Sequence, residues 1–213
     1  MIFDIDGVLM DSEQLWNESK QEVVRDSGGR WREDAPTAMM GMSSPEWSAY
    51  MHDELGVPMD ASDINRAVVD RMKQHYREHL PLLPGAVEVV RSLHRRWPLA
   101  LASSANREII DFALGAAGLA GEFRATVSSE EVEQGKPAPD VYLEAARRLG
   151  VAPDRCVAIE DSSNGLRSAA AAGMAVIAVP NTHYPPADDA LALAAAVVHT
   201  LFEITPELVE RLR

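Results

Sequence analysis

Five short apolar runs, Met1–Phe3, Leu99–Ala102, Ala125–Val127, Cys156–Ile159 and Ala175–Val179, recur along the chain with helical patterns between most of them. Runs of this length suit strands. Strands separated by helices need crossover connections, so the rhythm predicts a parallel sheet flanked by helices, an α/β fold. The intervening helices are expected over residues 85–96, 106–117, 138–149 and 164–172. Gly118, Gly150 and Gly173 stand where such helices stop.

Residues 12–83 break this rhythm. They contain no strand pattern, but helical patterns cover 12–27, 45–55 and 61–79, and Pro81 and Pro84 close the stretch. Ser44-Pro45 predicts a helix start, with Ser as N-cap and Pro in the first turn. A parallel crossover needs only about a dozen residues, so this stretch is read as an all-helical cap domain, 12–83. It interrupts a discontinuous core made of 1–11 and 84–213. An insert after the first strand lies at the C-terminal edge of the sheet, where α/β proteins bind ligands.

Composition narrows the partners. The chain has 213 residues, 46% of them hydrophobic, a formal charge of −13 and a pI near 4.8. With no Lys/Arg cluster, a nucleic-acid backbone is excluded as the expected partner. An anionic substrate must then be drawn in by a local positive site. No run approaches the roughly 18–20 apolar residues of a membrane span. The single cysteine, Cys156, sits in an apolar run and reads as core, and the absence of a second rules out an internal disulfide. Acids at the N-terminus do not resemble the basic start of a signal peptide, so a cytoplasmic enzyme is expected. A monomer is expected, with a dimer as the alternative. The six histidines, His52, His75, His79, His94, His183 and His199, show no metal-binding spacing.

The chemistry lies just past the strand ends. Asp4-Ile5-Asp6-Gly7 follows the first run, Ser103-Ser104 the second, Gly135-Lys136-Pro137 comes after the third, and Glu160-Asp161 follows the fourth. Each alone has an ordinary reading: a solvated turn, N-cap residues, a surface lysine, an acid pair at a helix N-terminus. A parallel sheet brings all four to one edge. Asp4 and Asp161, with Glu160 beside them and a backbone oxygen, offer the hard oxygen ligands that Mg²⁺ prefers. Two adjacent carboxylates require a cation or a shared proton. Ser103, Ser104 and Lys136 are candidates to hold phosphoryl oxygens, and phosphoryl transfer needs mainly positioning and charge neutralisation. Asp4 can act as a carboxylate nucleophile, and Asp6 as an acid that becomes a base.

These four segments, with Asp4-Ile5-Asp6-Gly7-Val8-Leu9 first, resemble the four motifs of the haloacid dehalogenase superfamily. Glu160-Asp161-Ser162-Ser163-Asn164-Gly165 and Ala170-Ala171-Ala172-Gly173-Met174 resemble its β-phosphoglucomutase-like branch. The resemblance implies a Rossmann-like core with a helical cap, a Mg²⁺ cofactor, Asp4 as nucleophile, Asp6 as acid/base with its carbonyl on the metal, and a cis Lys136–Pro137 bond. The superfamily's dehalogenases lack the second aspartate of the first motif, so Asp6 favours phosphoryl chemistry.

The cap carries the substrate candidates: Glu13 and Trp16 at its start, Gly41, Ser43 and Ser44 in a loop resembling the family's specificity loop, and Asn106 and Arg107 after Ser103. Trp16 stands where the mutase has histidine, Ser44 where it has arginine, and Ala105-Asn106 where it has Ser-Lys. A mutase must grip two phosphates; this chain displays one secure grip, with Arg107 as a candidate substitute for the second. The expected activity is therefore a Mg²⁺-dependent phosphatase that hydrolyses a small phosphorylated metabolite, a sugar or polyol phosphate first, through a phosphoaspartate. A sugar phosphomutase and a non-catalytic phospholigand-binding protein are the alternatives. A phosphonate hydrolase would need a desolvated cap lysine, and nothing in the sequence marks Lys20 or Lys73 as one. Trp16 and Trp47 fit a cap pocket or a cap core equally well.

Overall fold

The computed structural model describes residues 1–39, 42–182 and 184–212, so the candidate Gly41 falls outside the described residues. Six parallel strands form one sheet, β1 (Ile2–Phe3), β2 (Ala100–Ser103), β3 (Ala125–Ser128), β4 (Val157–Glu160), β5 (Ala175–Ala178) and β6 (Ala196–Val197), in the order β3-β2-β1-β4-β5-β6. β1 is central, with Ile2 opposite both Ala100 and Ala158. It is buried on both faces, as parallel sheets covered by helices are. The register aligns the chemistry: Ser103 pairs with Ser128 and Glu160 with Ala178, while the Asp4 amide donates to the Ile159 carbonyl at 3.0 Å. The ends of β1, β2 and β4 therefore reach the same edge together.

The predicted core helices are present as α5 (Ala86–His94), α6 (Arg107–Ala116), α7 (Asp140–Leu149) and α8 (Ser163–Ala171). Each buries one apolar face, and α7 stops at Gly150, whose φ of 70° is the left-handed conformation of a helix C-terminus. Two short helices, α9 (Asp188–Leu191) and α10 (Pro206–Arg211), and strand β6 have no counterpart in the sequence reading. β6 has two residues, too few for a period to appear.

Between β1 and α5 the chain is helical. It forms α1 (Glu13–Asp26), α2 (Ala35–Ala38), α3 (Ser44–Asp53) and α4 (Ala61–Glu78). α4 buries Ile64, Val68, Val69, Met72 and Tyr76, a stripe at helical spacing that packs against α1 and α3. The helix at Ser44 starts one residue earlier than expected. Ser43 is its N-cap, because Glu46 stands three residues on and accepts from the Ser43 amide at 2.7 Å and hydroxyl at 2.6 Å, a capping box. Ser44 is freed for another role.

The two connections to this helical segment run side by side. The Asp11 amide donates to Pro81 O at 2.8 Å and the Leu83 amide to Leu9 O at 3.0 Å, flanking an antiparallel bridge between Met10 and Leu82. α4 also meets α6: Tyr76 stacks on Phe112 with centroids 6.5 Å apart, and Lys73 pairs with Glu108. Among the described residues no helix is long and apolar enough to cross a membrane.

Candidate active site

Asp4, Lys136, Glu160 and Asp161 meet in the interior, all of them buried. The Lys136 ammonium donates to Asp4 Oδ1 at 2.9 Å and to Glu160 Oε1 at 2.5 Å, and lies 5.1 Å from the Tyr142 ring centroid. Burial would lower the lysine's pKa, but Asp4 and Glu160 outweigh it and hold the ammonium above the ordinary range. Burial pushes Asp4 up to about 8 despite Lys136, with Glu160 and Asp6 adding to the rise. Asp161 is pushed well above its usual range, first by burial and then by Glu160 and Asp4. This is a site short of positive charge.

Ligand atoms of Asp4, Glu160 and Asp161 lie within 4.8 Å of one another, close enough to surround one cation. The hydrogen bonds divide them. Glu160 Oε1 also accepts from Tyr142 Oη at 2.8 Å, and Oε2 accepts from the amides of Asp161 and Ser162 and from the Ser162 hydroxyl at 3.0–3.3 Å. Its oxygens are already filled, whereas among the described residues the Asp161 carboxylate accepts from Asn181 Nδ2 alone, at 3.4 Å. Two glycines make room for this packing. A side chain at Gly7, where φ is 75°, would collide with the Asp161 carboxylate, and one at Gly165 would collide with the Glu160 carboxylate. The donor set of hard, buried carboxylates in a glycine-lined cradle fits a small divalent cation.

Asp6 is held by the start of α1. Ser12 Oγ and, at 3.3 Å, Trp16 Nε1 both donate to its Oδ1. Burial raises its pKa and these two bonds oppose the rise. The Lys136–Pro137 bond is cis. Ser103 is fully buried, and its hydroxyl accepts from the Ala105 amide at 3.0 Å. It does not line the open cavity, whereas its neighbour Ser104 does.

That cavity, about 620 Å³, runs from Asp4, Asp6, Lys136 and Asp161 to the walls of α1, α2 and α3. Of the candidates drawn from the sequence, Glu13, Trp16, Ser44 and Asn106 line it; Ser43 and Arg107 do not. Arg107 is bound to Glu131, to Asp111 at 3.1 Å and to Thr126 at 2.7 Å, so it is not a second phosphate grip. Trp16 and Trp47 do both jobs open to them, with rings 6.4 Å apart that belong to the core and line the cavity. Lys20 and Asn181 were missed. Glu13, Trp16 and Lys20 are spaced i, i+3, i+7, one face of a helix, a pattern that could have marked Lys20. Lys20 is desolvated after all: it is 7% exposed, and burial lowers its pKa to about 8 against the opposing pull of Glu13 and Asp6.

Residues 1–179 match the sequence model described as haloacid dehalogenase-like hydrolase. The chain is 34% identical to fructose-1-phosphate phosphatase YqaB of Escherichia coli K12, over 84% of this chain and 95% of that one. It is 35% identical to hexitol phosphatase B of the same organism, over 84% and 82%. The crystal structure of CbbY from Rhodobacter sphaeroides in complex with phosphate superposes with a TM-score of 0.86 at 28% identity, covering 95% of this chain and 94% of CbbY.

Proposed function

Because the chain belongs to the haloacid dehalogenase-like hydrolases, whose sequence model spans residues 1–179, we propose that it is a Mg²⁺-dependent phosphatase acting on a small sugar or polyol phosphate through a phosphoaspartate on Asp4. The observation that carries this reading is the buried meeting of Asp4, Lys136 and Asp161 at the floor of a cavity large enough for a small metabolite. The named activities of the relatives, fructose-1-phosphate and hexitol phosphatases, support the substrate class.

Asp4, Asp161 and the Asp6 carbonyl are the residues to hold Mg²⁺; Glu160, whose oxygens are filled, anchors Lys136 instead. Bound there, the ion supplies the missing positive charge and a ligand position for a phosphoryl oxygen. Lys136 neutralises charge on the transferring phosphoryl group. An Asp4 carboxylate oxygen attacks phosphorus, the bond from phosphorus to the ester oxygen breaks, and Asp6 gives its proton to the departing alkoxide. Burial favours the protonated Asp6 that this step requires. Asp6, now ionised, takes a proton from water as the water oxygen attacks phosphorus, and the Asp4–phosphorus bond breaks to free inorganic phosphate. Helices α1–α4 act as a cap that hinges at the paired Asp11–Pro81 and Leu9–Leu83 connections and excludes water in the first step.

A mutase is disfavoured. Arg107 is committed elsewhere, and the cation that lines the cavity besides Lys136, Lys20, is an ammonium near Glu13 and Asp6, a poor receptor for a second phosphate dianion. Release of inorganic phosphate from hexose and hexitol phosphates tests the proposal: it should need Mg²⁺ and disappear in Asp4→Asn. Wild-type turnover in that variant, or isomer in place of phosphate, rejects the reading.

A further inference from the structure

The chain has three lysines, Lys20, Lys73 and Lys136. Two are held as ammonium ions by carboxylates. Lys136 pairs with Asp4 at 2.9 Å and Glu160 at 2.5 Å, and Lys73 pairs with Glu108. Lys20 is placed differently. Its Nζ lies 5.8 Å from the Trp16 ring centroid and 5.3 Å from that of Trp47, and among the described residues no hydrogen bond or ion pair reaches it. Indole faces attract an ammonium, but they offer its N–H groups no carboxylate oxygen. Burial dominates and lowers its pKa to about 8, while Glu13 and Asp6, the acids that act on it, pull the other way. Lys20 also stands where a small molecule reaches it, on the wall of the 620 Å³ cavity. Of the unpartnered polar atoms on that wall, Ser44 Oγ and Asn106 Oδ1 are sealed off; the Lys20 nitrogen is not.

A desolvated amine with no carboxylate partner sheds its proton near neutral pH and becomes a nucleophile, whereas a lysine locked in an ion pair keeps its lone pair protonated. Phosphoryl transfer at Asp4 makes no use of such a group. We propose that Lys20 is an imine-forming site, at which small aldehydes entering the cavity condense with Nζ. The nitrogen lone pair attacks the carbonyl carbon, and the C=O π pair moves onto oxygen. The carbon–oxygen bond then breaks as the C=N bond forms, and both amine hydrogens leave with that oxygen as water. The condensation balances without oxidant or reductant. It places a reversible covalent adduct in the wall of the cavity, beside the indoles of Trp16 and Trp47.

Glyceraldehyde tests this directly. It is small and uncharged, so it needs neither a metal nor a phosphate grip, and the outcome is independent of the phosphatase reading. The full chain is exposed briefly to it near neutral pH with cyanoborohydride, which adds hydride to the imine carbon and fixes the adduct as a secondary amine. Peptide mapping by mass spectrometry then gives the ratio of label on Lys20 to label on Lys73. The same exposure in urea gives that ratio for the unfolded chain, where neither lysine has its native surroundings. We expect the folded ratio to exceed the unfolded one roughly tenfold or more, because only the fold frees the Lys20 lone pair and ties up that of Lys73. Lys20→Arg, which keeps a cation between the indoles, should remove the fast-labelling fraction. A folded ratio equal to or below the unfolded one overturns the proposal, as does fast labelling that persists in Lys20→Arg.

Discussion

Asp4 holds a carboxyl that burial lifts to about 8 from 3.8, and Asp161 is shifted the same way. A folded-state acid with a raised pKa binds its proton more tightly than the unfolded chain does. Its contribution to stability is therefore complete below the unfolded value and is lost as pH rises toward about 8. Lys20, lowered from 10.5 to about 8, acts in a separate window: its penalty stands below that pH and is relieved above it. Metal-free protein should accordingly melt at a lower temperature near pH 8 than near pH 5, measured by circular dichroism, and Mg²⁺ should remove much of the difference. A metal-free melting point that rises across this interval contradicts the assignment of a charge-starved site. Glu160 makes a second residue-scale case. Glu160→Gln leaves Lys136 with Asp4 as its only carboxylate partner and should lower unfolding free energy by about 3 kcal/mol in a denaturant titration. It should also reduce turnover by misplacing the lysine. An effect near zero on both would show that Glu160 does not anchor Lys136.

Among elements, the strands and long helices were legible because their signals are local. The α4 stripe and the stop at Gly150 can be read from spacing alone. Helix α3 was misread by one residue because Ser43 and Ser44 are equally good caps by type; Glu46, three residues from Ser43, decides between them. Ser43→Ala should cost about 1 kcal/mol, mostly as loosening of α3 detectable by amide exchange. Protection in α3 equal to wild type would mean that the capping box does not hold this helix. The contact between α4 and α6 was invisible in the sequence, since Tyr76 and Phe112 are 36 residues apart and neither carries a motif. If α1–α4 move as a cap, Phe112→Ala should raise amide exchange along α4 and slow turnover of large substrates more than of phenyl phosphate. Equal slowing of both substrates argues for a static wall.

For the whole molecule, the site was readable to the extent that topology makes it so. A parallel sheet gathers the ends of β1, β2 and β4, so Asp4, Lys136, Glu160 and Asp161 could be placed together without coordinates. Which of them would be free to hold a metal could not be read, because that depends on Tyr142 and the Ser162 backbone saturating Glu160. The pocket wall was harder still. Lys20 is a lysine on an amphipathic helix by sequence, and only the packing of Trp16 and Trp47 around it makes it a buried cation facing the cavity. Arg107 shows the reverse, a plausible ligand by position that Glu131 and Asp111 hold outside the cavity. The central claim, covalent transfer to Asp4, is tested most directly by acid quench of the enzyme during turnover of a ³²P-labelled hexose phosphate with Mg²⁺. We expect label bound to the protein that hydroxylamine discharges, as it does an acyl phosphate, and no label on Asp4→Asn. Phosphate release with no protein-bound label at any quench time, or label that persists in Asp4→Asn, contradicts it.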